Sequence, residues 1–126
     1  MIRGRSKDGW LGTVLGARNP RALGRFWADL LGWQLSDDEE TWVTLGMPGH
    51  PFNLAVQLEP HHEPPVWPGE AGRPGMQLHL DIAVNDLAGA TEDAVALGAR
   101  LAEFQPQEDV RVLIDPEGHP FCLYRA

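Results

Sequence analysis

The sequence predicts an α+β fold built from two copies of a βαβββ module. Three observations predict it. Apolar runs of strand length and one helical segment follow in the same order in each half. Local motifs recur at a nearly constant offset: Leu31-Gly32-x-x-Leu35 returns as Leu97-Gly98-x-x-Leu101, and Gly49-His50-Pro51-Phe52-x-Leu54 returns as Gly118-His119-Pro120-Phe121-x-Leu123. A breaker-rich stretch, residues 59–75, separates the copies. A βαβββ unit cannot bury both faces of its sheet alone, so two units must share a surface.

Each element has a local reason. Trp10 to Ala17 is an apolar run of strand length. Asn19-Pro20 supplies a cap and a first-turn proline, and Gly32 supplies the stop. Between them Leu23, Phe26, Trp27, Leu30 and Leu31 fall three and four apart, which gives one buried helix face. Trp33-Gln34-Leu35 resumes as strand, Asp37 to Glu40 reads as a solvated acidic turn, and Thr41 to Leu45 is strand again. Met47 to Pro51 is a turn, and Phe52 to Leu58 closes the first copy. Pro60, Pro64, Pro65, Pro68 and Pro74 exclude regular structure from the stretch that follows. Met76 to Val84 alternates as a strand, Asn85-Asp86 caps a helix to Leu97, and Gly98 ends it. Ala99 to Phe104, Asp109 to Ile114 and Phe121 to Tyr124 are the remaining strands, with a turn at Asp115 to His119. The organisation expected is therefore a flexible N-terminus (1–9), then one domain made of module 10–58, linker 59–75 and module 76–126.

Composition bounds the partners. The 126 residues carry 18 Asp and Glu against 10 Lys and Arg, a net charge of −8. Affinity for nucleic acid comes mainly from cations that neutralise phosphates, so no nucleic-acid partner is expected. Anionic membrane surfaces are disfavoured for the same reason. The single cysteine, Cys122, excludes an internal disulfide framework. No apolar run is long enough to span a membrane, and the N-terminus has no apolar run behind its basic residues. A cytoplasmic location is the expectation.

The residues Asn19-Pro20-x5-Phe26-Trp27-x3-Leu31-Gly32-Trp33, His79-Leu80-Asp81-Ile82-x-Val84-x-Asp86-Leu87 and Asp115-Pro116-x-Gly118-His119-x-Phe121-x-Leu123 carry a family resemblance. The chain resembles the vicinal oxygen chelate superfamily: glyoxalases, bleomycin-resistance proteins and extradiol dioxygenases. Within it, the nearest likeness is to small glyoxalase-like proteins. The resemblance implies a cupped, eight-stranded mixed sheet around a central cleft, and a homodimer. It says little about function, because one scaffold hosts many chemistries.

Metal-dependent members place one ligand on the first and one on the last strand of each module, so that the ion chelates two adjacent substrate oxygens. Carried over by position, these ligands fall on Gly12, on Gln57 or Asn53, on His79 and on Cys122. Glycine offers no ligand atom, and the closing carboxylate is replaced by a thiol. That is a poor set for the usual divalent ions. Asp81, two residues from His79 on the same strand face, is either a replacement carboxylate or the hydrogen-bond partner that orients the imidazole. His79 is then a metal ligand, a polar lining group or, with Asp81, a general base.

Bland readings weigh against several candidates. Cys122, between Phe121 and Leu123, reads first as a small buried hydrophobe. His61-His62-Glu63 reads as a solvated loop, and His50 and His119 as turn residues. Trp27 reads as core, and Trp10 and Trp33 as core or cleft. Trp42 lies on a sheet strand. Trp67, among prolines, covers a flat ligand, pins the linker or packs across a dimer interface. Ligand-lining candidates are thus Gln57, Trp67, Trp42, Asn53 and Cys122. His79 and Asp81 are the acid/base candidates, and His79 with Gln57 the metal candidates. The function expected is metal-free binding of a planar or aromatic small molecule, cationic ones included. The alternatives are a divalent-metal lyase, isomerase or dioxygenase of the same superfamily, and a metal-free enzyme using His79 and Asp81.

Overall fold

The computed structural model describes residues 2–5 and 11–126. The expected strand start at Trp10 and most of the segment before it lie outside the described residues. The chain divides by its contacts into two compact units, Met1–Glu59 and Pro60–Ala126. Residues 60–75, the expected linker, therefore group with the second unit.

The first unit contains β1 (Leu11–Ala17), α1 (Pro20–Leu31), β2 (Gln34–Asp38), β3 (Trp42–Gly46) and β4 (Phe52–Leu58). Its sheet runs β1-β4-β3-β2, with β1 parallel to β4 and the other pairs antiparallel. The second contains β5 (Leu80–Val84), α2 (Leu87–Leu97), β6 (Arg100–Leu101), β7 (Val110–Ile114) and β8 (Pro120–Arg125). Its sheet runs β5-β8-β7-β6 with the same pattern of directions. The two four-stranded mixed sheets are copies of one βαβββ topology. Among the described residues no helix is long and apolar enough to cross a membrane.

The helix boundaries follow from their caps. Asn19 Oδ1 accepts from Ala22 N at 3.2 Å ahead of Pro20, and Gly32 ends α1 in the left-handed region at φ 67°. Asp86 Oδ1 accepts from Gly89 N at 3.0 Å, and Gly98 ends α2. Each cap satisfies donors that the first helical turn leaves open. In the first module Leu23, Phe26 and Trp27 of α1 bury against Val43, Leu45, Leu54 and Val56, with Phe26 edge-on to Trp27. Gly24 lets the helix approach closely, because a Cβ there would collide with Val43 Cγ1. In the second module Leu113, Phe121 and Leu123 form the buried sheet layer, and α2 adds Leu87 and Ala94.

Three elements differ from the sequence expectation, each for a non-local reason. The strand expected from Met76 begins only at Leu80, so His79 stands just before it. β5 pairs only with β8, where Leu80 lies opposite Phe121; His79 would fall opposite Pro120, which has no N–H to donate, and earlier residues opposite the 115–119 turn. The strand expected over Ala99 to Phe104 is only Arg100–Leu101. Past it the Gln105 amide replaces the ladder: its Nε2 donates to Ala102 O (2.8 Å) and Val112 O (2.9 Å), and its Oε1 accepts from Val112 N (2.9 Å). Finally, β2 extends through Asp38, so Asp37 belongs to the sheet and not to a solvated turn.

Candidate functional site

Each sheet has one face under its helix and one open face, and the candidate residues gather on the open faces. Alternation along β4 puts Asn53, Ala55 and Gln57 there, on the side away from Leu54 and Val56, with Ala55 buried between its neighbours. Trp42 lies opposite Gln57, and Thr44 opposite Ala55. A cavity of about 310 Å³ opens here, lined by Ser36, Asp37, Trp42, Thr44, Asn53 and Ala55 among others. Asp37 is fixed by Thr44, whose hydroxyl donates to Asp37 Oδ2 at 2.8 Å and accepts from Asp37 N at 2.9 Å. Gln57 lies on the same face but does not line the cavity. Its Nε2 donates to Glu59 Oε1 at 2.6 Å.

The second module builds its open face from the start of β5, from β8 and from β7. Asp81 lies opposite Cys122, and Cys122 opposite Val112. His79 Nε2 is 3.0 Å from Asp81 Oδ1. A neutral imidazole therefore carries its proton on Nε2, facing the carboxylate, and leaves Nδ1 as the basic nitrogen. One donor atom from each of His79, Asp81 and Cys122 lies within 4.8 Å of the others. Burial pushes the Cys122 thiol up to about 11, helped by the Asp81 charge and by its hydrogen bond to Asp81. A cavity of about 330 Å³ takes in this trio together with Asp109, Tyr124 and Arg125.

The pairing register also compares the copies. Gly12 lies opposite Asn53 and Asp81 opposite Cys122, so Asp81 stands where the first copy has Gly12, and Cys122 where it has Asn53. This is the register that the recurring Gly-His-Pro-Phe turn sets.

The remaining candidates are placed as follows. Trp67 is half-buried and packs on Ala102, Val112 and Ile114, a cluster that Cys122 also touches; it does not line the cavity. Its ring lies 5.9 Å from that of Phe104. Pinning of the linker is thus the contact that Trp67 makes. His62 departs from the solvated-loop expectation. It stacks on His119 at 4.9 Å between ring centroids, and its Nε2 lies 2.8 Å from Glu117 O. The two turn histidines are structural: His119 Nδ1 meets the buried Asp115 at 2.8 Å, and His50 Nδ1 accepts from Phe52 N at 3.2 Å. Trp33 packs against His50 and Phe52, and Trp27 is core. Asp37, Thr44, Asp109 and Tyr124 were not singled out by sequence. For Asp37 the sequence held no such signal: plain alternation puts it on the face of Leu35, opposite the buried Leu45, and the pairing irregularity between Leu35 and Asp38 turns it to the Thr44 face.

The donor set does not suit the divalent ions implied by the superfamily resemblance. Those ions prefer carboxylate and imidazole ligands. Here the trio supplies one of each, paired with each other at 3.0 Å, and its third donor is a thiol where the metal-dependent members keep a carboxylate. Asn53, in the corresponding place of the first copy, offers only an amide.

Comparison with known proteins agrees with the fold. A family model described as a glyoxalase-like domain matches residues 12–124. No curated protein matches the chain. Among solved structures, a glyoxalase/bleomycin resistance protein/dioxygenase family enzyme from Burkholderia phytofirmans PsJN is similar at TM-score 0.67 and 16% identity, over 90% of this chain and 95% of that one. An antibiotic binding protein from Streptomyces sp. CB03234 is similar at TM-score 0.61 and 14% identity, over 93% and 94%. A fosfomycin resistance protein from Mesorhizobium loti is similar at TM-score 0.69 and 13% identity, over 100% and 94%. Likeness at such identities speaks to the fold alone, whereas the family model covers nearly the whole chain: this protein belongs to the glyoxalase-like domain family.

Proposed function

We propose that this protein binds a small planar or aromatic cation on its open sheet faces, without the divalent metal typical of the superfamily. The observation that carries the reading is a shared pairing of groups. The first module's cavity sets the Asp37 carboxylate with the Trp42 ring, and the second sets Asp81 and Asp109 with Tyr124. A carboxylate beside an aromatic face suits a flat cation, because ring quadrupole and charge attract the same pole. At about 310 and 330 Å³ the cavities fall at the lower end of small-molecule pockets. Arg125 sits in the second cavity but is outnumbered by its two carboxylates. The similar Streptomyces structure, described as an antibiotic binding protein, fits a binding role for the scaffold. Cys122 supports the metal-free part, since a thiol stands where the metal-dependent members close with a carboxylate.

The test is equilibrium binding of planar cations against neutral compounds of the same shape, with metal analysis of the purified protein. Asp81→Asn or Asp37→Asn weakens the cation about tenfold, the scale of a charge-assisted contact, and leaves the neutral compound unchanged. Stoichiometric metal that disappears in His79→Ala overturns the proposal. A second reading has its own observation. The 3.0 Å contact of His79 with Asp81 orients Nδ1 as a general base for a bound carbonyl compound. It requires turnover lost in both His79→Gln and Asp81→Asn.

A further inference from the structure

Trp67 reaches the second sheet from an irregular strap, not from a regular element. Its ring packs against Ala102, Val112 and Ile114, buried side chains that together make an apolar floor. Cys122 touches the same cluster and also lines the cavity beside Asp81. Val110, of the cavity, and Val112 and Ile114, of the floor, are alternate residues of β7 and so share one face. Floor and cavity are thus one continuous surface, with the indole covering its apolar half.

The strap that carries the indole is fastened at several points, and the ring itself meets Phe104 at 5.9 Å. His62 stacks on His119 and reaches Glu117 O at 2.8 Å. Pro64 fits the notch at Gly118, where a Cβ would collide with Pro64 Cβ. Val66 N donates to Pro74 O at 2.8 Å and closes the loop that carries Trp67. The indole N–H has no hydrogen-bond partner among the described residues, although a tryptophan built into a core usually finds one.

We propose that the Ala102–Val112–Ile114 face is a subsite for an aromatic ring, occupied in the free protein by Trp67. A ligand's ring system displaces the indole, and its cationic end reaches Asp81. Asp81 and Val112 flank Cys122 on either side, about 10 Å apart as two strand spacings. That span fits a compound of two or three fused rings. The inference rests on the small-molecule reading above and adds where the ring sits and what must leave.

The experiment measures binding of proflavine, a planar three-ring cation, by its own fluorescence, with a thermal melt of each variant. Trp67→Ala removes the competing ring. His62→Ala loosens the strap and keeps Trp67, so it carries the test if the first variant fails to fold. Both are expected to bind about tenfold tighter than the unaltered protein, as when a covered state that holds nine-tenths of the population is removed. Weaker or unchanged binding in both variants overturns the subsite, and so does an absence of binding in both. Asp81→Asn separates the two readings. If it leaves affinity unchanged while Trp67→Ala still tightens binding, the cation-binding reading falls and the ring subsite stands.

Discussion

Gly118 and Gly49 occupy the same place in the two copies of the Gly-His-Pro-Phe turn, and they make a controlled pair. Both have positive φ, 93° and 80°, so alanine at either costs about 1–2 kcal/mol of backbone strain. They differ in surroundings. A Cβ at Gly49 meets nothing within 4 Å, whereas one at Gly118 runs into Pro64 well inside van der Waals contact. The strap must then retreat, at a further cost of about 1–3 kcal/mol, the range for overpacking. A chain of 126 residues unfolds with an entropy of about 0.26 kcal/mol per kelvin. The extra cost therefore amounts to about 4–12 °C of melting temperature. Calorimetry of Gly49→Ala and Gly118→Ala measures the difference directly. Pro64→Gly in the Gly118→Ala background restores part of the loss, because it removes the atom that is struck. Equal melting temperatures for the two alanine variants would refute the reasoning, since they would show that the strap does not press on the 115–119 turn.

Four other outcomes follow from the surroundings of Cys122, Asp115 and Gly24. The Cys122 thiol, raised to about 11, alkylates with iodoacetamide at pH 8 about a hundred times more slowly than a thiol at 9.0, and Asp81→Asn speeds it. A raised thiol favours the folded protein below the unfolded value, so this contribution is intact below pH 9 and is lost between about pH 9 and 11; a Cys122→Ser melt should lack that decline. Asp115→Ala removes the buried acceptor of Glu117 N (2.9 Å), His119 N (3.0 Å) and His119 Nδ1 (2.8 Å), and denaturant unfolding should record a loss of about 2–4 kcal/mol. Gly24→Ala drives a Cβ into Val43 and costs about 1–3 kcal/mol, whereas in a Val43→Ala background the same change costs little; an additive cycle would refute the close approach of α1 to β3.

Features that depend on neighbours in sequence were legible. Asn19 and Asp86 as caps, Gly32 and Gly98 as stops, and the apolar face of α1 follow from local hydrogen bonding and periodicity. The His79–Asp81 contact was legible too, because side chains two apart on extended chain share a face. Strand ends were not. β5 starts where β8 supplies a partner, and β6 stops where the Gln105 amide takes over the ladder; neither partner is near in sequence. Asp37 was hidden because an acidic run looks solvated until pairing with β3 draws β2 through it. Trp67 was recognised as an aromatic in a stiff segment, but its floor comes from β7 and from Ala102, more than thirty residues on.

Each sheet completes its own hydrogen-bonded ladder, and the strap groups with the second module. This fixes where the chain can be recombined. A crossover between Glu59 and Pro60 passes on each module entire, and the second keeps the segment that roofs its apolar floor. A crossover nearer Gly75 separates that roof from its floor, so chimaeras joined there should need new surface chemistry at Ala102, Val112 and Ile114, while those joined at Pro60 should not.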